Sequence, residues 1–174
     1  MFLVLLMYKL KQNGRAAIVL PDGFLFGEGV KTAIKEKLLS EFNLHTIVRL
    51  PNGVFAPYTV INTNLLFLER GTTQEIWFYE HQLPKGYKNY TKTKPIKSEE
   101  FEAEKAWWNA RKETGCAWKV CIDEVKARGY NLDFKNPSTR LEQNIPSPKS
   151  VIRKTSDCLT RSRQILLEIE ELLK

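Results

Sequence analysis

The residues best suited to recognition chemistry lie in GVFAPYTVINTNLLFLER, Gly53 to Arg70. A loop carrying the aromatic Phe55 and a Pro57-Tyr58-Thr59 turn runs there without a break into an apolar strand, Ile61 to Leu68. Side chains that face a substrate are commonly held this way, on a loop positioned by a rigid strand. A second group follows at Lys85, Lys88, Lys92, Lys94 and Lys97, with Tyr87 and Tyr90 interleaved and no acidic residue among them. Basic and aromatic residues together suit phosphate contact plus base stacking. A solvated loop is the other reading of the same run.

The patterns of a complete active site are missing. The chain holds no GxGxxG or Walker loop, no HExxH and no nucleophile elbow. His45 starts a predicted strand, His81 precedes the basic run, and neither has a Cys or acidic pair at metal-ligand spacing. Cys116, Cys121 and Cys158 show no CxxC spacing, which predicts a reduced, cytoplasmic protein without zinc. Any chemistry is expected to need groups supplied from elsewhere.

At 174 residues, 43% hydrophobic and 27% charged, the chain is long enough for a domain with a real core and does not have the composition of a disordered one. Its net charge of +7 is uneven: residues 1–80 hold eight basic against seven acidic side chains, and residues 81–174 nineteen against thirteen. The apolar start MFLVLLMY stops at Lys9, too short to span a bilayer and without the basic region of a signal sequence. A short buried helix over residues 2–12, ending at Asn13-Gly14, explains it better. A helix that starts uncapped at residue 1 suggests a chain that begins inside a domain.

Arg15 to Leu20 (RAAIVL) reads as a strand buried on both faces, and Glu28 to Phe42 as a helix with Val30, Ile34, Leu38 and Phe42 inward and Lys31, Lys35 and Lys37 off that face. His45 to Leu50 is a second strand, completing a strand-helix-strand crossover. The strand Ile61 to Leu68 has no helix before it, which predicts an antiparallel neighbour at the sheet edge. Glu75 to Tyr79 reads as a further edge strand. Beyond the basic loop, Ser98 opens a helix from Phe101 through Lys112, and Trp107, Trp108 and Trp118 read as packing residues rather than a ligand cage. Trp118 to Ile122 reads as a short strand. A polar linker, 135–149, precedes a helix from about Ser150 to Lys174 in which Ile152, Leu159, Leu166 and Leu173 recur every seven residues. That stripe either folds back on its own domain or takes a partner surface.

KLKQNGRAAIVLPDGFLF, the LPNGVF loop and PYTVINTNLLF, in this order and at close spacing, resemble the C-terminal half of the catalytic domain in the modification subunit of type I restriction-modification systems, a DNA adenine-N6 methyltransferase family. The resemblance is strong from Lys9 to Arg70 and looser through GYNLDF and the terminal helix. It implies an α/β fold: the C-terminal half of a Rossmann-like S-adenosylmethionine-dependent methyltransferase sheet, parallel with an antiparallel edge strand, plus a helical tail. The corresponding organisation is a methyltransferase-like half over 1–80, a basic loop and sheet-covering segment over 81–134, the linker and the helix.

The family implies methyl transfer from S-adenosylmethionine to the exocyclic amine of an adenine flipped out of the duplex, because that amine lies within the base stack. The family's glycine-rich cofactor loop and its catalytic Asn-Pro-Pro-Phe both precede the matching region. Asn136-Pro137 is followed by Ser138 and lies beyond the last predicted strand, so it is no substitute. No catalytic, cofactor-binding or metal residue is therefore assigned, and the chain alone is expected neither to methylate nor to bind S-adenosylmethionine. What carries over is the loop: Phe55 matches a phenylalanine that packs on the extruded base, with Tyr58, Thr59, Asn62 and Thr63 as nearby polar candidates and Lys85, Lys88, Lys92 and Lys94 for backbone phosphate. Phe55 capping the core is the competing reading. DNA and the specificity subunit are the implied partners, the latter through the terminal helix, and the restriction subunit is a further candidate. Alternatives are a non-catalytic DNA- or specificity-subunit-binding module on the same half sheet, or a methyltransferase half acting on RNA or protein.

Overall fold

A computed structural model describes residues 2–138 and 147–172. Residues 139–146 of the predicted linker, together with Met1, Leu173 and Lys174, lie outside the described residues. The chain divides into two compact units, Met1–Thr139 and Arg140–Lys174.

In the first unit the chain runs α1 (Phe2–Lys9), β1 (Arg15–Pro21), α2 (Asp22–Leu25), α3 (Val30–Glu41), β2 (Phe42–Arg49), β3 (Thr63–Arg70) and β4 (Glu75–Glu80). A 3-10 turn (Ser98–Phe101), α4 (Glu102–Asn109), β5 (Ala117–Cys121) and α5 (Ile122–Ala127) follow. The strands form one five-stranded sheet in the order β1-β3-β2-β4-β5, in which only β2 and β4 pair in parallel.

That order corrects two expected edges. β3 is antiparallel as predicted, but it lies between β1 and β2 rather than at an edge, pairing Leu66 with Ile18 on one side and with Ile47 on the other. β1 and β2 are thus parallel to each other without touching. The segment 50–62 is long enough to return the chain between them. β4 is likewise interior, flanked by β2 and β5. The true edges are β1 and β5, and β1 shows it: its residues alternate between exposed and half-buried instead of being buried on both faces.

Alternation along the interior strands splits the core in two, as the period-2 pleat requires. Leu44, Ile47, Leu66, Leu68, Ile76 and Phe78 bury one face against α1, α3 and α5. Val48, Leu50 and Tyr79 bury the other with Trp107 of α4, where Leu65, Phe67 and Trp108 also pack. The tryptophans are packing residues, with Trp118 stacked on Phe78 at 5.5 Å and Trp107 edge-on to Trp77 at 5.7 Å.

One helix departs from its predicted burial and another from its predicted face. α1 buries Leu3 and Met7 only, while Phe2, Val4, Leu5 and Tyr8 are exposed. In α3 the stripe is rotated. Val30 is exposed, Phe42 already belongs to β2, and Lys35 is inside, donating to the carbonyls of Leu25 and Gly27 at 2.9 Å each. The Leu25 carbonyl ends α2, the Gly27 carbonyl lies in the turn after it, and both need donors, so a lysine at an inward position satisfies what a leucine could not.

In the second unit α6 (Pro148–Leu172) is a single 25-residue helix. Ser147 precedes it and accepts from the Ser150 N–H at 3.3 Å, with Pro148 in the first helical position, where proline costs nothing. Ile152, Leu159, Leu166 and Ile169 are exposed.

Candidate nucleic-acid interface

The loop between β2 and β3 opens on Gly53, which has φ +83°, and a Cβ there would collide with the backbone carbonyl of Tyr90. Only glycine fits both the conformation and the contact. Past it the chain turns tightly, with Ala56 N–H donating to Gly53 O at 2.9 Å and Tyr58 N–H to Phe55 O at 3.0 Å. This fold pushes two aromatics outward: Phe55 is 40% exposed and Tyr58 93%.

The polar candidates separate. Asn62 is exposed and lines a cleft at the sheet's carboxyl ends. Thr59 is half-buried, and its Oγ1 accepts from Ile61 N–H at 3.1 Å, so it shapes the loop. Thr63 starts β3 and is 8% exposed, with its hydroxyl buried and unpartnered among the described residues. It sits inside the sheet rather than on the loop surface.

Lys85, Lys88, Lys92 and Lys94 are all exposed, as is Lys97. Of the interleaved aromatics, Tyr87 is half-buried beneath the Lys94 ammonium, 5.1 Å above its ring. Tyr90 is fully buried, so it does not offer the face for base stacking that its spacing suggested. Its hydroxyl bridges His81 Nε2 at 3.0 Å and the Glu100 carboxylate, while His81 Nδ1 faces Glu104. Burial and the Glu100 carboxylate raise the Tyr90 phenol far above its ordinary pKa, so it stays a donor. The Tyr90 N–H donates to Asn52 O at 3.1 Å. The basic loop and the Phe55 loop are therefore clamped together at one residue.

The cleft beside Asn62, about 180 Å³, is lined by Asp22, Arg49 and Glu80, which sequence reading passed over, and by Asn136, which it rejected as a catalytic substitute. Arg49 ends β2 and donates to Asp133 Oδ1 at 2.9 Å and to Phe134 O at 2.7 Å, with Asp22 3.7 Å away. Asp22 also accepts from Asn64 Nδ2 at 2.7 Å. Asn136 donates to Glu80 Oε2 and Gly115 O, both at 2.8 Å. Burial alone would raise the Asp133 carboxyl, but hydrogen bonds from Lys135 and Arg49 outweigh it and hold it below its usual range. Asp22, Arg49 and Glu80 stand at or just past the ends of strands, the place where open α/β sheets bind ligands. A polar residue closing an apolar run was the available signal. Asn136 comes late in the sequence, yet the pairing with Glu80 returns it to the mouth of the sheet, with both amide hydrogens already engaged.

The donors and carboxylates of this cleft are committed largely to one another. Among the described residues no group of three His, Cys, Asp or Glu could hold a metal ion, and no helix is long and apolar enough to cross a membrane.

Residues 1–144 match the family profile described as N-6 DNA Methylase. The EcoEI methylase subunit of the type I restriction enzyme from Escherichia coli is 60% identical over 145 residues, covering 79% of this chain and 30% of that protein. A solved structure of a modification subunit assigned to a type I restriction enzyme in Vibrio vulnificus YJ016 superposes with TM-score 0.76 at 50% identity, covering 82% of this chain and 33% of that one. A second, from a structural study of complex assembly and conformational transition of the type I R-M system, gives TM-score 0.76 at 40% identity, covering 98% of this chain and 38% of the other. The chain thus spans about a third of the length of these relatives.

Proposed function

The chain belongs to the N-6 DNA methylase family, and from that membership we infer that it forms the target-base side of a type I modification subunit that methylates adenine N6 in DNA. In the complete protein S-adenosylmethionine supplies the methyl group. This chain's own residues present the flipped base and the flanking backbone.

The observation that carries the reading is the pair of exposed aromatics on the Gly53 turn, with Phe55 as the base-stacking face and Tyr58 beside it. Asn62 borders the neighbouring cleft, where it can meet a polar base edge. Thr59 and Thr63 hold the loop's shape and its root in β3. Lys85, Lys88, Lys92 and Lys94 neutralise phosphate and cannot read sequence. α6 docks the specificity subunit through Leu159 and Leu166, and a cytoplasmic location follows from the same reading.

The test uses the full chain and a single-stranded oligonucleotide carrying one 2-aminopurine. Stacking on Phe55 quenches its fluorescence, Phe55→Ala loses the quench, and Phe55→Trp restores it. Equal quenching by wild type and Phe55→Ala would sink the assignment.

A further inference from the structure

A second hollow, of about 330 Å³, lies between the α2–α3 turn and the turn that follows α5, bordered by Thr32, Lys35, Arg128 and Asn131. Lys35 is 1% exposed. Its ammonium carries three donors, two of which go to the carbonyls of Leu25 and Gly27. Carbonyl dipoles satisfy hydrogen bonds but bring no counter-charge. Among the described residues no carboxylate comes within 4.0 Å of Lys35, Arg128 or the neighbouring Lys31. A buried charge without a partner is costly, and the one acid on the lining, Glu28, leaves the hollow net positive.

The remaining walls supply donors. Arg128 lies over the Phe134 ring at 4.2 Å, which holds the guanidinium without neutralising it. Asn131 Oδ1 accepts from the Asp133 N–H at 2.8 Å, which fixes the amide with Nδ2 as its remaining donor. We propose that this hollow binds a phosphate-class oxyanion, with Lys35 and Arg128 as the charged donors and Thr32 and Asn131 as neutral ones. Arginine matches such an anion with two parallel hydrogen bonds, and the lysine acts as a point charge beneath it. Burial first, and then the charge of Lys31, keep the Lys35 ammonium below the usual lysine pKa, with Glu28 pulling the other way. A bound anion opposes that shift.

The anion could be a DNA backbone phosphodiester or a free phosphate, and the experiment separates them. The full chain is titrated with inorganic phosphate while the Lys35 ε-carbon shift is followed by NMR. Saturable binding and an upward move of the Lys35 titration midpoint are expected. Arg128→Gln, on the surface and not needed for the core, should weaken binding about tenfold, the scale of one charge-assisted hydrogen bond. Lys35→Met should abolish it. A short duplex that displaces bound phosphate identifies the DNA backbone as occupant, and one that leaves the phosphate in place identifies a free phosphate. A folded wild-type chain with no saturable response in the millimolar range overturns the proposal, and so does a folded Arg128→Gln that binds phosphate as wild type does.

Discussion

Phe55 and Gly53 stand two positions apart and should fail in opposite ways. Phe55 is 40% exposed, so Phe55→Ala should change the unfolding free energy by less than about 0.5 kcal/mol, the usual range for surface changes. Base stacking on an aromatic is worth roughly 1 to 3 kcal/mol, and oligonucleotide binding should weaken accordingly. Gly53→Ala should do the reverse at the level of the fold. It forces a side chain into positive φ and against the Tyr90 carbonyl, costing about 1 to 3 kcal/mol for the backbone alone. Chemical denaturation of the two variants separates the cases. Tyr90→Phe keeps the ring but strands His81 and Glu100, and should cost about 1 to 3 kcal/mol of stability. That Phe55 sits exposed on a loop was legible from the residue types around it. Tyr90 was not, because basic-aromatic spacing looks the same whether the ring points to water or inward. Only the His81, Glu100 and Asn52 partners, far apart in sequence, decide it.

Among elements, the strands were legible and their neighbours were not. The run RAAIVL has the composition of a central strand, yet β1 sits at an edge because β3 inserts beside it. Periodicity reports which residues can be buried, not which strand lies next to which. The same limit hid the cleft, whose walls come from the ends of β1, β2 and β4 and from residues 133–136. Arg49 joins three of these pieces and its side chain is only 11% exposed. Arg49→Met should destabilise by about 3 kcal/mol, because it leaves Asp22 without its cation and Asp133 with only the exposed Lys135. The acid limb follows from Asp133. Its folded pKa lies below the unfolded value of about 3.9, so the unfolded chain binds more protons as pH falls. The stability this contributes is fully present above the ordinary carboxylate range and is lost as pH drops through the lower folded value. Asp133→Asn should therefore flatten the fall in unfolding free energy between about pH 5 and pH 2. An unchanged pH profile would mean that the Arg49 and Lys135 hydrogen bonds do not stabilise the charged form.

At the scale of the whole molecule the chain combines a sheet unit with its own two-sided core and a helix that has none. α6 is 25 residues long, and Ile152, Leu159, Ile165 and Leu166 on its stripe are exposed. An isolated helix in water is marginal without a packed apolar face, and we propose that a partner surface supplies one. Heptad spacing made the helix legible in sequence, but not its partner, since a stripe of leucines specifies an apolar contact and nothing more. The specificity subunit is the partner we propose. Leu159→Glu with Leu166→Glu should leave the denaturation midpoint of the sheet unit unchanged, because neither residue belongs to either core cluster. The same pair should abolish co-purification with the specificity subunit and lower the helical circular-dichroism signal of the free chain little. Retained association with an intact fold would remove α6 as the docking element and leave the β1 edge, whose outer side pairs with no strand among the described residues, as the surface to test next.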